Sequence, residues 1–402
     1  MKNRWLIAAS AVGIHISIGS VYAWSIFTRP MMADYGWTLE QVNLTFSIAI
    51  FFLGLSAAFL GRFVEFYGPR KAGITAAVMF CSGLLLSALA CKFGNLGLLY
   101  LGYGVLGGIG IGIGYITPIS TLIKWFPDKK GLATGIAIMG FGFASVIFRL
   151  IAPAILEHLG ISAVFYLFAV LYCILIVASA LYLAPPPESF SPASGRRSEE
   201  MISLTPGQAI KTVPFYCLWV MFFINITCGI AVISVASPMT QDIAGLSPEA
   251  AATLVAILGL FNGLGRFGWS SLSDMIGRPA VWIAFFIIQL AVFLMISHLD
   301  QPVPLQILLC LIITCYGGGF ASMPAFITDI FGAKYVSAIL GLILTAWSAA
   351  GIAGPILISR IRQSTGSYQH IFTIFSAMLI VGLMIAVILK IYPTGMIIPR
   401  RP

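Results

Sequence analysis

Twelve apolar runs punctuate this chain, at approximately 5–27, 41–60, 73–91, 97–123, 132–155, 162–184, 213–234, 249–272, 280–298, 304–328, 338–359 and 369–392. Each is long enough to cross a bilayer core of about 30 Å as a helix. Nothing else constrains the fold as strongly. With 59% hydrophobic and 9% charged residues, the chain lacks the polar surface a water-soluble core of this size needs. The sequence predicts an all-α integral membrane protein of twelve transmembrane helices. Lys2 and Arg4 ahead of the first run could open a secretory signal, but the run continues past Trp24 without a small-x-small cleavage site, so a first span is expected.

The Pro/Ser-rich stretch "APPPESFSPASGRRSEEMISLTPGQAIK" separates the sixth and seventh runs. It predicts an N-terminal six-helix bundle (1–184), a linker (185–212) and a C-terminal six-helix bundle (213–402). With the N-terminus inside, sixteen of the 22 Lys and Arg residues fall on the cytoplasmic side, five on the opposite side, and Arg266 on neither. The positive-inside rule then predicts that both termini are cytoplasmic; a monomer in the lipid bilayer of the plasma (inner) membrane is the expectation. The net charge of +9 is thus topological, and no basic cluster suited to nucleic acid exists. The seven cysteines lie singly in or beside apolar runs, without metal-site or disulfide spacing. No cofactor or metal is expected, and no Gly-x4-Gly-Lys motif points to ATP. No nucleophile–base pair suggests an enzyme.

The halves repeat. "GRFVEFYGPRK" (61–71) follows the second run and "SSLSDMIGRPA" (270–280) the eighth; each sets an acid three residues before a glycine, with Pro and Arg beyond. Such a pattern suits a tight turn between helices, with carboxylate and basic groups near helix ends. These residues resemble the major facilitator superfamily, whose members carry a Gly-x-x-x-Asp/Glu-x-x-Gly-x-Arg/Lys loop after spans 2 and 8. Gly61, Glu65, Gly68, Arg70 and Lys71 fit the first copy; Asp274, Gly277 and Arg278 fit the second, with Ser270 in place of its first glycine. The resemblance implies two pseudo-two-fold-related six-helix bundles, loop residues that stabilise the closed mouth, and a midplane substrate site reached by alternating access.

Arg266 is the charge the membrane should not tolerate. Asn262 lies one helical turn earlier on the same face. Aligning the two loops sets Arg266 against Ala57 and Asn262 against Leu53, so the pair breaks the internal symmetry. A scaffold requirement should recur in both halves, whereas a substrate contact need not. The structural alternatives are an ion pair with Asp274, two turns away, or snorkelling to the surface. A guanidinium in a dry cavity offers a carboxylate a two-pronged match. In the fourth run, Gly104, Gly108 and Gly112 form one small-residue stripe and Gly110 and Gly114 a second, a pattern for close helix packing rather than a phosphate loop.

"WFPDKKGLATG" (125–135), "NGLGRFGWSSLSDMIGR" (262–278) and "TDIFG" (328–332) resemble the oxalate–formate antiporter branch. The Asn-x-x-x-Arg pair is similar to the Asp-x-x-x-Arg of monocarboxylate transporters, among which the chain looks most like the bacterial proton-coupled lactate/pyruvate carriers. That resemblance implies that Arg266 binds a substrate carboxylate, with Asn262 beside it. Similarity to the antiporter's aromatic cage picks out Tyr22, Tyr115, Phe141, Tyr316 and Phe320. Trp347 falls where the antiporter has a second cation, a lysine, which counts against a dianion. Asn262 replaces the monocarboxylate transporters' aspartate, and their first-span lysine is absent from "VYAWSIF". His15, mid-way along the first run, is the candidate proton carrier, unless it merely satisfies a backbone carbonyl. The expected function is secondary transport of a small monocarboxylate of the lactate or pyruvate class with a proton. An oxalate/formate-like anion exchanger is the alternative, and a non-transporting anion sensor a weaker one.

Overall fold

The computed structural model describes residues 2–187, 203–296, 299 and 301–391. Residues 188–202 of the expected linker lie outside the described residues, as do Arg196, Arg197, Arg400 and Arg401. All regular structure among the described residues is helical, and it resolves into twelve crossings. The first, α1, runs from Arg4–Ile18 through a tight turn at Gly19–Ala23 into Ser25–Tyr35. The continuous stretch Leu39–Phe93 breaks at Gly68 into α2 (39–67) and α3 (69–93). Then comes α4 (Leu96–Trp125). Lys130–Tyr182 breaks at Gly160 into α5 (130–159) and α6 (161–182). The second half comprises α7 (Val213–Ala244), α8 (Pro248–Ile276), α9 (Arg278–Ile296), α10 (Pro302–Phe331), α11 (Val336–Thr365) and α12 (Gln369–Ile391).

Helix ends follow local chemistry. Thr38 and Gln41 form a reciprocal capping box at the start of α2, and the Ser247 side chain accepts from the Ala250 amide to start α8. Gly68 and Gly277 turn the two repeat loops at φ of 81° and 88°, a backbone region closed to most side chains. The helices outrun their apolar cores: α1 reaches Tyr35 and α7 reaches Ala244, beyond the expected limits at 27 and 234. Hydropathy marks where lipid ends, not where helical hydrogen bonding ends.

Exposed apolar side chains such as Phe59, Leu159 and Ile174 (75%, 70% and 64% exposed) cover the outside, as lipid contact requires. Inside, small residues let backbones meet. A methyl on Gly104 would strike Ile48, and one on Gly108 the Ala49 carbonyl, so that stripe of α4 packs on α2. Gly110 abuts Phe80 of α3, which is why two glycine stripes were needed. The bundles α1–α6 and α7–α12 meet through two crossed pairs, α2 with α11 and α5 with α8.

The bundles are clamped at the end that carries the repeat loops. The Asp274 carboxylate accepts from the Gly131 and Leu132 amides at the start of α5 (2.9 and 2.8 Å) and pairs with Arg278 at 2.5 Å. Arg278 also holds Asp329 of α10 (3.1 Å), which reaches back to Lys130 of α5 (2.8 Å), and it donates to Ser273. In the other copy, Glu65 accepts from the Ala338 amide at the start of α11 (3.1 Å). A carboxylate at a helix N-terminus meets unpaired amides and the positive end of the helix dipole, so both contacts are favourable. At the opposite end the bundles part around a cavity of about 440 Å³.

Candidate functional site

Arg266 is fully buried where the two bundles meet. Its Nε donates to Asn262 Oδ1 at 3.2 Å, one turn earlier on α8, and its Nη1 to the Ile138 carbonyl of α5 at 3.5 Å. The guanidinium carbon lies 4.9 Å from the centre of the Phe320 ring (α10) and 5.4 Å from that of Phe141 (α5). One ring comes from each bundle, and each offers its negative face to the cation. Among the described residues no carboxylate pairs with Arg266, and its Nη2 has no hydrogen-bond partner. Asp274 is committed to α5 and Arg278 instead.

The aromatic residues gather around this cation. Trp347 (α11) lies 4.7 Å from Phe320, 5.7 Å from Tyr115 and 6.2 Å from Phe141, ring centre to ring centre. Tyr22, on the tight turn of α1, packs edge-on against Phe141 at 5.3 Å. Gly19 permits this, since its Cα side abuts the α5 backbone at Phe141. Tyr316 packs against Phe320 at 5.3 Å, and its hydroxyl shares a 3.3 Å hydrogen bond with that of Tyr22 across the bundle interface. His15 joins the cluster edge-on to Tyr115 at 5.5 Å. Its Nδ1 donates to the Ala11 carbonyl (3.0 Å), which fixes the tautomer and leaves Nε2 a bare acceptor.

Four polar atoms in this one cluster lack partners: Arg266 Nη2, Tyr115 Oη, Trp347 Nε1 and His15 Nε2. Each orphan of this kind costs about 1–3 kcal/mol, more when charged. Four together among packed rings form a polar cluster that the protein's own groups leave unsatisfied. Three of the four are donors, which suits an anion.

The cavity between the parted bundles stops just short of that cluster. Tyr22, Asn262 and Tyr316 line its floor, while Arg266, Tyr115, Phe141, Phe320 and Trp347 lie beyond, 0–1% exposed. The Tyr22–Tyr316 bond therefore lies between the open vestibule and the buried aromatic cluster around Arg266.

A sequence profile of the Major Facilitator Superfamily matches residues 9–355 and, in a second alignment, 229–399. The chain belongs to the Major Facilitator Superfamily. This superfamily transporter is similar to the oxalate:formate antiporter of Oxalobacter formigenes, 28% identical over 373 residues that span 91% of this chain and 87% of the antiporter. It is also similar to monocarboxylate transporter 13 of Bos taurus, 23% identical across 94% of this chain and 87% of that one. In fold it resembles the crystal structure of a superfamily transporter, FucP, in the outward conformation, with a TM-score of 0.73 and 15% identity over 95% of this chain and 98% of FucP.

The repeat-loop residues of this transporter play unequal parts. Gly61 sits directly against the α11 backbone at Ala338, so a side chain there would collide. In the second copy Ser270 takes that place, and the close approach is relieved on the partner helix by Gly131 and Gly135. Arg278 is buried in the clamp, whereas Arg70 is exposed and, among the described residues, makes no ion pair. Sequence reasoning missed Asp329 and Lys130, although both sit inside the quoted "TDIFG" and "FPDKKG" stretches. It also missed the Ile138 carbonyl and the Tyr22–Tyr316 bond, which join residues far apart in sequence and leave no local signal.

Proposed function

We propose that this transporter carries a small monocarboxylate of the lactate or pyruvate class together with a proton, across the plasma (inner) membrane, by alternating access. The observation that carries the reading is Arg266: a sealed guanidinium with a free Nη2 and no acid, among further unpartnered donors. The carboxylate forks onto Arg266, Asn262 holds the guanidinium in position through Nε, and Tyr115 and Trp347 donate to the acid's oxygens. Tyr22 and Tyr316 close over it, and Phe141 and Phe320 exclude water, which strengthens the ion pair. Among the described residues Arg266 is the one Lys or Arg within the cage, so a single negative charge is matched; Trp347 offers a dianion no second cation. The names of the oxalate:formate antiporter and of monocarboxylate transporter 13 support a short organic anion as the substrate class.

His15 Nε2 is the acceptor available for the accompanying proton, so that anion and proton together leave the cage's charge as they found it. With the positive-rich side cytoplasmic, the clamp of Asp274 and Glu65 closes the inner mouth and the vestibule opens outward. In this arrangement a monomer with cytoplasmic termini suffices for transport.

The test is uptake of labelled L-lactate into proteoliposomes under an inward proton gradient, challenged with unlabelled acids. Accumulation above equilibrium, competed by pyruvate but not by oxalate, sugars or amines, is the expected result. Strict one-for-one exchange without net accumulation would replace it with the antiporter reading, and absence of any carboxylate uptake would end both.

A further inference from the structure

The vestibule holds a second cation that the cage does not use. Arg149 lies on α5 two turns beyond Phe141, about 12 Å further along the axis at 1.5 Å per residue. Ile138, Phe141, Ser145 and Arg149 recur at three- and four-residue spacing, so one face of α5 runs from the Arg266 cage to the vestibule wall. Arg149 lines the vestibule together with Ser25, Ser145 and Asn262, and no Asp or Glu is among the described residues lining it. Among the described residues its hydrogen bond runs from Nη2 to Ser25 Oγ at 3.1 Å, and it makes no ion pair there. A half-buried guanidinium is costly to keep at this depth unless it serves a ligand or a charge partner.

We propose that Arg149 is a capture site for the incoming carboxylate, an outer station where the anion pairs before descending past the Tyr22–Tyr316 bond to Arg266. This rests on the carboxylate reading of the Arg266 cage and extends it to the path that leads there. The physical need is clear: a dilute anion must leave water for an apolar funnel, and a wall cation with low-dielectric surroundings focuses its field along that funnel. Ser25 gives the station a second donor. Arg149 would hold the anion in contact with water and Arg266 without it, so the acid sheds its water in two stages.

The test compares wild type, Arg149→Gln and Arg149→Lys in oriented vesicles, measuring lactate uptake from the vestibule side and counterflow from the opposite side over a range of ionic strength. Arg149→Gln should raise the KM for uptake from the vestibule side roughly 3- to 10-fold at low salt with kcat unchanged. The gap should close at about 0.5 M salt, where charges are screened within a few ångström. KM from the opposite side should not move, and Arg149→Lys should restore most of the loss. Equal KM values at low salt, or a fall in kcat from both sides, would overturn the proposal while leaving Arg266 as the binding residue. If wild type takes up no short carboxylate, the cage reading fails, and this one with it.

Discussion

Replacing Arg266 by lysine separates charge from shape. Both side chains are cationic, but lysine has one donor centre and no fork. In this structure Nε is committed to Asn262 Oδ1 at 3.2 Å, Nη1 has only a long 3.5 Å contact with the Ile138 carbonyl, and Nη2 is free. Nη1 and Nη2 are thus the two prongs offered to a carboxylate. An ammonium in the same place must choose between Asn262 and the ligand, and at best keeps one prong. A charge-assisted hydrogen bond contributes about 1.5–3 kcal/mol. Losing one predicts roughly 10- to 150-fold weaker lactate binding. The cations' rings remain, so the loss is not one of burial. Quenching of tryptophan fluorescence on lactate addition reads the affinity, since Trp347 lies in the cage. Uptake in proteoliposomes reads the consequence, and size-exclusion chromatography shows that the variant is folded. Affinity within about two-fold of wild type would refute the forked contact and remove Arg266 from the binding site.

The remaining predictions concern the clamp, the second cation and the proton. Asp274→Asn should open the repeat-loop side far more than Glu65→Gln does, because Asp274 accepts two amides and holds Arg278 while Glu65 accepts one amide. A loss of about 2 kcal/mol shifts the equilibrium roughly 30-fold, visible as longer spin-label distances between α5 and α8; equal effects of the two variants would contradict it. Trp347→Lys should let oxalate compete with lactate at least about 10-fold better, read in the same uptake assay, because a dianion then meets two cations. His15→Ala should abolish proton-driven accumulation of lactate while lactate–lactate counterflow persists, and an undiminished gradient response would clear His15.

Much of this is legible in the sequence alone, and the reasons are local. Arg266 stood out because a charge in an apolar helix is rare and expensive, and Asn262 because 3.6-residue periodicity places it one turn away. The glycine stripes of α4 declared close packing because only that tolerates so many glycines in one helix. What stayed hidden depended on three-dimensional juxtaposition. No pattern in "GSVYA" announces that α1 tightens there to bring Tyr22 beside Tyr316. The Tyr100–Gly107 stretch of α4 winds as a π-helix, and hydropathy carries no information on helical pitch. Nothing local in "TDIFG" signals that Lys130 and Arg278, from opposite bundles, converge on Asp329.

The hydroxyl bridge between Tyr22 and Tyr316 joins two neutral groups, worth about 1 kcal/mol, whereas the Asp274 and Asp329 clusters are built from full charges. On the proposed route, two contacts of very different strength therefore stand in series. There the weaker contact breaks more readily than the charged clamp, so the acid meets the tyrosines more often than the bundles swing. In that proposal, selection among acids falls at the tyrosine threshold, ahead of the slower turn of the bundles.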